Sequence, residues 1–348
     1  MNRHSHFNTV LVAYTEEKTD REDMLDIIRC RDSVLSALDA LDYQANPFPV
    51  KPDDLVDMPS LASRLFEASP LCVFNLFEGF SFDSLAEVRF CSLLEMMDIP
   101  FTGNGSYTLG KCLNKAHTKA ILIDHGIPVP RGWVALPGKI PSFNGVRGPF
   151  FIKPCQEDGS VGIDATSMVK DEDLKEMVSR KLMEHPRGII VEEFLPGQEF
   201  NVGILGNDPY EIQSVSMLDY SRWPHRNPFL GYSSKWDPSD GDFHMKFVDL
   251  DGDFPVLIRA RIMDTALKAG RALGCSGYFR VDLRERNGEI YVLEINPNPD
   301  INVDSGLARQ CGTRGLSYPG MVESIIRYGL SAFEEKSIHA RNSLERVY

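Results

Sequence analysis

No two cysteines of this chain stand in a CxxC pair. The seven present, Cys30, Cys72, Cys91, Cys112, Cys155, Cys275 and Cys311, are odd in number and widely spaced. That pattern argues against a disulfide framework or a structural zinc site and fits a reducing cytoplasm. Positive charge is also short, with 37 Lys and Arg against 50 Asp and Glu and a net charge of -13. Nucleic acid is therefore not an expected partner, because backbone binding wants a basic face. The N-terminus has no long apolar run, so neither a signal peptide nor contact with a membrane is expected. No internal repeat or low-complexity tract is present. What is there is ordinary globular material: 43% hydrophobic and 25% charged residues over 348 positions, enough for two or three subdomains.

The most informative stretch runs from Tyr278 to Ser305. Tyr278–Arg284 and Glu289–Ile295 alternate apolar and polar residues with the period of half-buried strands. Arg280 and Asp282 share a face of the first strand, and Glu294 and Asn296 share a face of the second. A two-residue Asn287-Gly288 turn would set Asp282 and Glu294 on opposite faces. A three-residue loop with Gly288 left-handed would instead pair Asp282 with Glu294 and Arg280 with Asn296. Only that parity gathers two carboxylates, an amide oxygen and a guanidinium. Such oxygens suit Mg²⁺, and Arg280 suits charge developing on a phosphoryl group or an oxyanion. The plain alternative is a solvated hairpin, but Pro297-Asn298-Pro299-Asp300 is a sequel that no exposed hairpin needs.

Along the chain, Thr9–Tyr14 and Leu71–Leu76 read as buried strands, and Arg21–Leu41 and Leu85–Met97 as helices, a small parallel α/β unit. Gly105–Cys112 is one residue away from a phosphate-binding GxxxxGK[ST] loop. Cys112 lacks the hydroxyl that would meet Mg²⁺, and the motif is rejected. A helix from Thr108 to Asp124 would carry Lys111, Lys115 and Lys119 along one face. Pro149–Pro154 is a strand with a lone Lys153, which needs an anion. Residues 156–162, including Gly159 and Ser160, form a glycine loop able to fold its amides over phosphates, or a plain hairpin turn. A helix over Asp171–Met183 follows. Strands Ile189–Phe194 and Phe200–Leu205 flank a turn crowded by Glu192, Glu193 and Glu199, whose plain reading is surface acids. Residues 221–253 show no period and read as a lid, with Lys235 and Lys246 its only lysines. Val256–Leu273 is an amphipathic helix, and the last dozen residues read as a loose tail.

Taken in order, Lys115, Ile152-Lys153-Pro154, the glycine loop, VEEFLPGQEF, Arg-x-Asp and Glu-x-Asn resemble the ATP-grasp carboxylate–amine ligases. EMMDIPFTG and NKAHTKAILIDHGIPVP are similar to the D-alanine–D-alanine ligase branch, and the likeness covers about Pro70 to Leu330. The resemblance implies α/β and α+β architecture: an ATP-grasp fold behind a Rossmann-like N-terminal domain. The expected boundaries are 1–108, 109–188 and 189–335, with 336–348 as tail. It implies ATP with Mg²⁺ (or Mn²⁺), and small-molecule carboxylate and amine substrates; a homodimer is left open. Lys115 and Lys153 would hold phosphates, with Gly159 and Ser160 above them. Glu192, Glu193, Phe194, Leu195 and Glu199 would contact adenine and ribose, and Lys235 is the lid lysine. Asp282, Glu294 and Asn296 would bind the metal. Arg280 would steady a tetrahedral intermediate, and Ser305 and Gly306 would receive the carboxylate of the second amino acid.

The acid-substrate half departs from that branch. Tyr14–Lys18 replaces a glycine-rich turn with a glutamate, and Phe77-Glu78-Gly79 replaces a histidine-glycine loop. Gly159 and Trp236 stand where a serine and a tyrosine lock the site. The expected activity is ATP-dependent joining of another amino acid, or an amino-acid-like acid, to an amine through an acyl phosphate. A cell-wall D-alanine–D-alanine ligase is the first alternative and an ATP-grasp phosphotransferase the second.

Overall fold

The computed structural model describes residues 9–19, 22–143, 145–157, 159–218, 220, 228–237, 239–240, 247–250 and 252–345. In the N-terminal unit, β1 (Thr9–Thr15) lies between β2 (Gln44–Val50) and β3 (Cys72–Leu76) in a parallel sheet. Its apolar run is buried on both faces, as parallel strands demand. Val10, Val12 and Tyr14 pack on Ile27, Val34 and Leu38 of α1 (Glu22–Ala40). Leu11 and Ala13 pack on Leu61 and Leu65 of α2 (Met58–Ala68) and on Phe90 and Leu94 of α3 (Leu85–Met96).

The expected Thr108–Asp124 helix is two helices, α4 (Ser106–Leu113) and α5 (Lys115–Asp124). Asn114 breaks them apart by leaving helical conformation and capping α5, its side chain accepting from the amides of Ala116 and His117. The three-lysine stripe is therefore broken. Lys111 turns to the Leu273 carbonyl, whereas Lys115 and Lys119 pair with Glu294 and Glu192, which line the cleft described below. The rejected phosphate-loop motif is helix α4.

The middle unit is an antiparallel sheet ordered β4 (Gly132–Ala135), β7 (Ile189–Glu193), β5 (Phe150–Pro154), β6 (Met168–Val169), backed by α6 (Leu174–Glu184). The C-terminal unit is a second antiparallel sheet ordered β10 (Val248–Asp249), β9 (Glu211–Leu218), β8 (Glu199–Leu205), β11 (Tyr278–Arg286), β12 (Glu289–Pro297). One face carries Phe200, Val202, Phe279, Val281, Leu283 and Val292 and is sealed by Ile262, Ala266 and Ala269 of α8 (Val256–Leu273). The polar face looks into the cleft. The short α7 (Tyr232–Trp236) lies over the cleft, and α9 (Gly306–Thr313) follows the hairpin. The final α10 (Tyr318–Glu345) runs as helix through most of the segment expected to be tail; Met321, Val322, Ile325 and Ile326 join the α1 core.

The N-terminal unit is locked to the hairpin at one point. The Asn104 amide nitrogen donates to Asn298 Oδ1 at 2.8 Å, and Asn104 Nδ2 donates to the Tyr278 carbonyl at 2.9 Å. Gly103 (φ +87°) permits this approach, since a Cβ there would lie 2.3 Å from Asn298 Oδ1.

Candidate active site

Arg286 pairs with Glu289, so the hairpin turn is the two-residue Asn287-Gly288, with φ of 55° and 82°. That is the primed turn matching strand twist, and the three-residue loop expected from the sequence does not form. Asp282 nevertheless pairs with Glu294 and Arg280 with Asn296, because the register shifts after Asp282: Leu283 pairs with Val292. Leu293 is thus an extra residue, a β-bulge, and it restores the parity that the short turn would have lost.

The four side chains meet. Arg280 grips Asp282 in a bidentate pair, Nε to Oδ1 at 2.7 Å and Nη2 to Oδ2 at 2.9 Å. Asn296 Nδ2 donates to Asp282 Oδ2 at 3.0 Å. Lys115, the first residue of α5, reaches Glu294 Oε1 at 2.7 Å. Burial works against the Glu294 carboxylate, yet Lys115 and then Lys153 hold it well below the usual range.

A second ion cluster lies beside the first. Glu192 takes Lys119 at 2.6 Å and Lys153 at 3.3 Å, and all three residues are buried. Burial pushes the Lys119 ammonium down to about 8, against the pull of Glu192. Burial also opposes the Glu192 carboxylate, but Lys119 and Lys153 keep it lowered. Lys153 donates in addition to the carbonyl of the bulged Leu293 at 3.3 Å. The anion that justifies Lys153 in its strand is here an internal one. Glu193 is likewise engaged, by Arg286 at 2.8 Å and the Arg131 amide at 3.0 Å. Glu199 accepts from Tyr220 at 2.9 Å.

Of these, Lys153, Glu192, Glu193, Glu199, Arg280, Asp282, Glu294 and Asn296 line a cleft of about 1200 Å³ between the two antiparallel sheets, larger than the usual pocket for a single drug-sized ligand; Lys115 and Lys119 reach it through Glu294 and Glu192. At one end Phe151 and Phe229 meet edge to face at 5.0 Å, Phe194 lies 6.3 Å from Phe151, and Leu195 is buried beside them. Arg284 lies 4.8 Å over the Phe194 ring. Gly159, Ser160, Lys235, Ser305 and Gly306 also line the cleft. Ser305 caps α9, its hydroxyl accepting from the Ala308 amide at 3.2 Å. The Lys235 ammonium makes no hydrogen bond or ion pair among the described residues. The side chain of Trp236 and residues 221–227, 238, 241–246 and 251 of the expected lid, Lys246 among them, lie outside the described residues.

The far end is lined by Asp26, Glu78, Asp83, Glu87, Asp300 and Asp304, and by Arg29, which pairs with Asp26. The Tyr14–Lys18 turn, expected beside the acid substrate, is not part of this lining. Glu17 is occupied behind it, accepting from the Ser81 amide at 2.7 Å.

The D-ala D-ala ligase C-terminus family model matches residues 142–327. A D-alanine–D-alanine ligase of Desulforudis audaxviator is 30% identical over 240 residues, covering 68% of this chain and 74% of that protein. One of Gluconobacter oxydans is 26% identical over 302 residues, covering 86% and 93%. Among solved structures, the D-alanine–D-alanine ligase of Bacillus anthracis complexed with ATP superposes with a TM-score of 0.70 at 18% identity, covering 94% and 99%. The chain belongs to the D-alanine–D-alanine ligase family. It has the ATP-grasp fold and is an ATP-dependent carboxylate–amine ligase.

Sequence reading missed several cleft residues of this D-alanine–D-alanine ligase-like chain. Phe151 is two before Lys153 and Arg284 two after Asp282, so strand alternation already put each on the cleft face. Asn201 opposes Asp282 across β8, a pairing that no local pattern encodes. Arg309 lines the cleft one turn past Ser305, and its Nε is buried with no partner. The donor set of Asp282, Glu294 and Asn296 fits Mg²⁺, being hard oxygens on one face. Among the described residues no three His, Cys, Asp or Glu gather into a metal cage. A bound Mg²⁺ would therefore complete its shell with phosphate oxygens and water, as this ion does elsewhere.

Proposed function

We propose that this ligase joins an acid other than D-alanine to an amine through an acyl phosphate. The supporting observation is the acid-substrate end of the cleft. Asp26, Glu78 and Asp300 line it beside Arg29, which pairs with Asp26; this wall suits the ammonium of any amino acid, D-alanine included, so the distinction rests on Gly159. Gly159 offers no hydroxyl there, and a Cβ on it would meet nothing within 4 Å. The aromatic slot of Phe151, Phe194 and Phe229 takes the adenine, and Glu199 the ribose. Lys115, Lys153 and Lys235 receive the phosphates beneath Gly159 and Ser160. Asp282, Glu294 and Asn296 would hold Mg²⁺, or Mn²⁺ in its place, which would supply positive charge beside the phosphates.

The acid's carboxylate oxygen bonds to the γ-phosphorus as the bond to ADP breaks. The neutral amine then attacks the acyl carbon, loses a proton, and phosphate leaves as the amide forms. Arg280 holds the oxyanion of the intermediate, and Ser305, Gly306 and Arg309 dock a carboxylate on the amine substrate. Lys115 and Arg280, which pair with Glu294 and Asp282, would compete with such an ion for the two carboxylates. The seven free, buried cysteines suit work in the cytoplasm. The test is phosphate release from ATP over a panel of acid–amine pairs with product masses. A product equal to acid plus amine less water supports ligation, and repeated turnover to a stable, non-acyl phosphorylated product without amine refutes it.

A further inference from the structure

We propose that Lys181 is a positioning residue that ties the glycine loop and the Lys235 helix together, so that both close over the phosphates as one unit. This rests on the reading that ATP phosphates lie beneath that loop. Lys181 lies on α6, outside the cleft lining, and its side chain is 2% exposed. A lysine buried to that depth demands partners. Its Nζ donates to the Gly162 carbonyl at 3.3 Å and to Asp164 Oδ2 at 2.8 Å, with Glu184 Oε2 at 3.5 Å. Asp164 closes the turn that ends the loop by accepting from the Thr166 amide at 2.7 Å.

Between those two anchors stands Ile163. Its carbonyl accepts from the amide of Tyr232, the first residue of α7, at 3.0 Å. A Cβ on the preceding Gly231 would lie only 3.0 Å from the same oxygen, so the approach is close. Residues 162–164 therefore carry ties in two directions, back to Lys181 and forward to the helix that bears Lys235. A five-residue helix has little stability of its own and takes its position from such contacts. An apolar side chain would fill the same space on α6. What the ammonium adds is a fixed position for the base of the loop, and with it the height of Lys235 over the cleft.

The experiment measures amide hydrogen exchange over residues 156–164 and 231–237, with and without Mg²⁺ and the non-hydrolysable analogue AMP-PNP. Binding of AMP-PNP and of ADP is measured alongside, in the full chain and in Lys181→Met, Lys181→Arg and Asp164→Asn. AMP-PNP should slow exchange in both segments of the unaltered protein. In Lys181→Met that protection should vanish from both together. AMP-PNP should bind about tenfold more weakly and ADP less than about threefold, since only the former carries the γ-phosphate; tenfold corresponds to about 1.4 kcal/mol of ordering that the nucleotide must then supply. Lys181→Arg should recover most of the effect. Unchanged protection and affinity in Lys181→Met overturn the proposal, and so does loss confined to 156–164. If Lys181→Met does not fold, Asp164→Asn removes the ion pair from its half-exposed side; protection should then weaken in both segments together, and unchanged protection overturns the proposal. If the unaltered protein shows no protection by AMP-PNP, the phosphate site itself is misplaced. Protection there with unchanged variants overturns the role of Lys181 alone.

Discussion

Asp282 and Glu294 face each other across the hairpin because Leu293 is one residue too many for continuous pairing. Deleting Leu293 while keeping the Asn287-Gly288 turn should leave a regular ladder in which Glu294 follows Val292 and still opposes Asp282, with Asn296 still opposite Arg280. ATP turnover should survive, weakened by loss of the Leu293 carbonyl that accepts from Lys153. A deletion variant that folds but turns over no ATP would show that the bulge does more than set this parity.

Glu294→Gln should abolish turnover and also cost stability. Two carboxylates side by side in an open site would repel, and removing one would stabilise the apo protein. Here each is paired, Asp282 with Arg280 and Glu294 with Lys115. Removing Glu294 leaves Lys115 buried without its counter-charge, a loss of about 3 kcal/mol by analogy with other broken buried pairs. Denaturant melts of the apo protein check this, and a rise in stability would contradict it.

Arg280→Lys keeps the charge but loses the planar fork that spans both oxygens of Asp282. The expected result is a fall in kcat of about 10²-fold, as for one lost oxyanion donor, with ATP affinity nearly unchanged. Collapse of ATP binding with kcat intact would make Arg280 a phosphate anchor instead.

Glu192→Gln tests the buried triad by its pH dependence. The Glu192 carboxyl is lowered in the folded protein, so its contribution is fully present above the unfolded value and is lost as pH falls through the folded one. The variant should be less stable near neutrality by roughly 3–5 kcal/mol, and its stability should fall less steeply on acidification. Equal slopes on the acid side would place the pairing energy elsewhere.

The sequence carried the site better than the periphery. Strand alternation put Arg280 and Asp282 on one face and Glu294 and Asn296 on another, and both readings hold. The bulge that joins the two faces was hidden, because a register shift is a pairing between strands and leaves no mark on Leu293 itself. The break at Asn114 was legible in retrospect, since Asn is a strong helix cap; the regular lysine spacing masked it. Strand β2 reads QANPFPV, and Pro47 and Pro49 argued against a strand. They are tolerated because, among the described residues, β2 is a sheet edge with no strand on its far side. Helix α10 extends beyond the expected boundary because it is anchored at its start, where Met321 and Ile325 pack on α1.

The central claim is a ligase whose acid substrate is not D-alanine. Gly159→Ser gives partial access to it: there is room for the side chain, but φ is +60°, so the variant carries backbone strain of about 1 kcal/mol. The most direct measurement is kcat/KM of the unaltered enzyme for D-alanine beside a panel of larger amino acids and amino-acid-like acids. Little ATP turnover with D-alanine alone and much more with a bulkier acid is the predicted result. A D-alanine value comparable with the best of the panel would contradict the account and leave a D-alanine–D-alanine ligase.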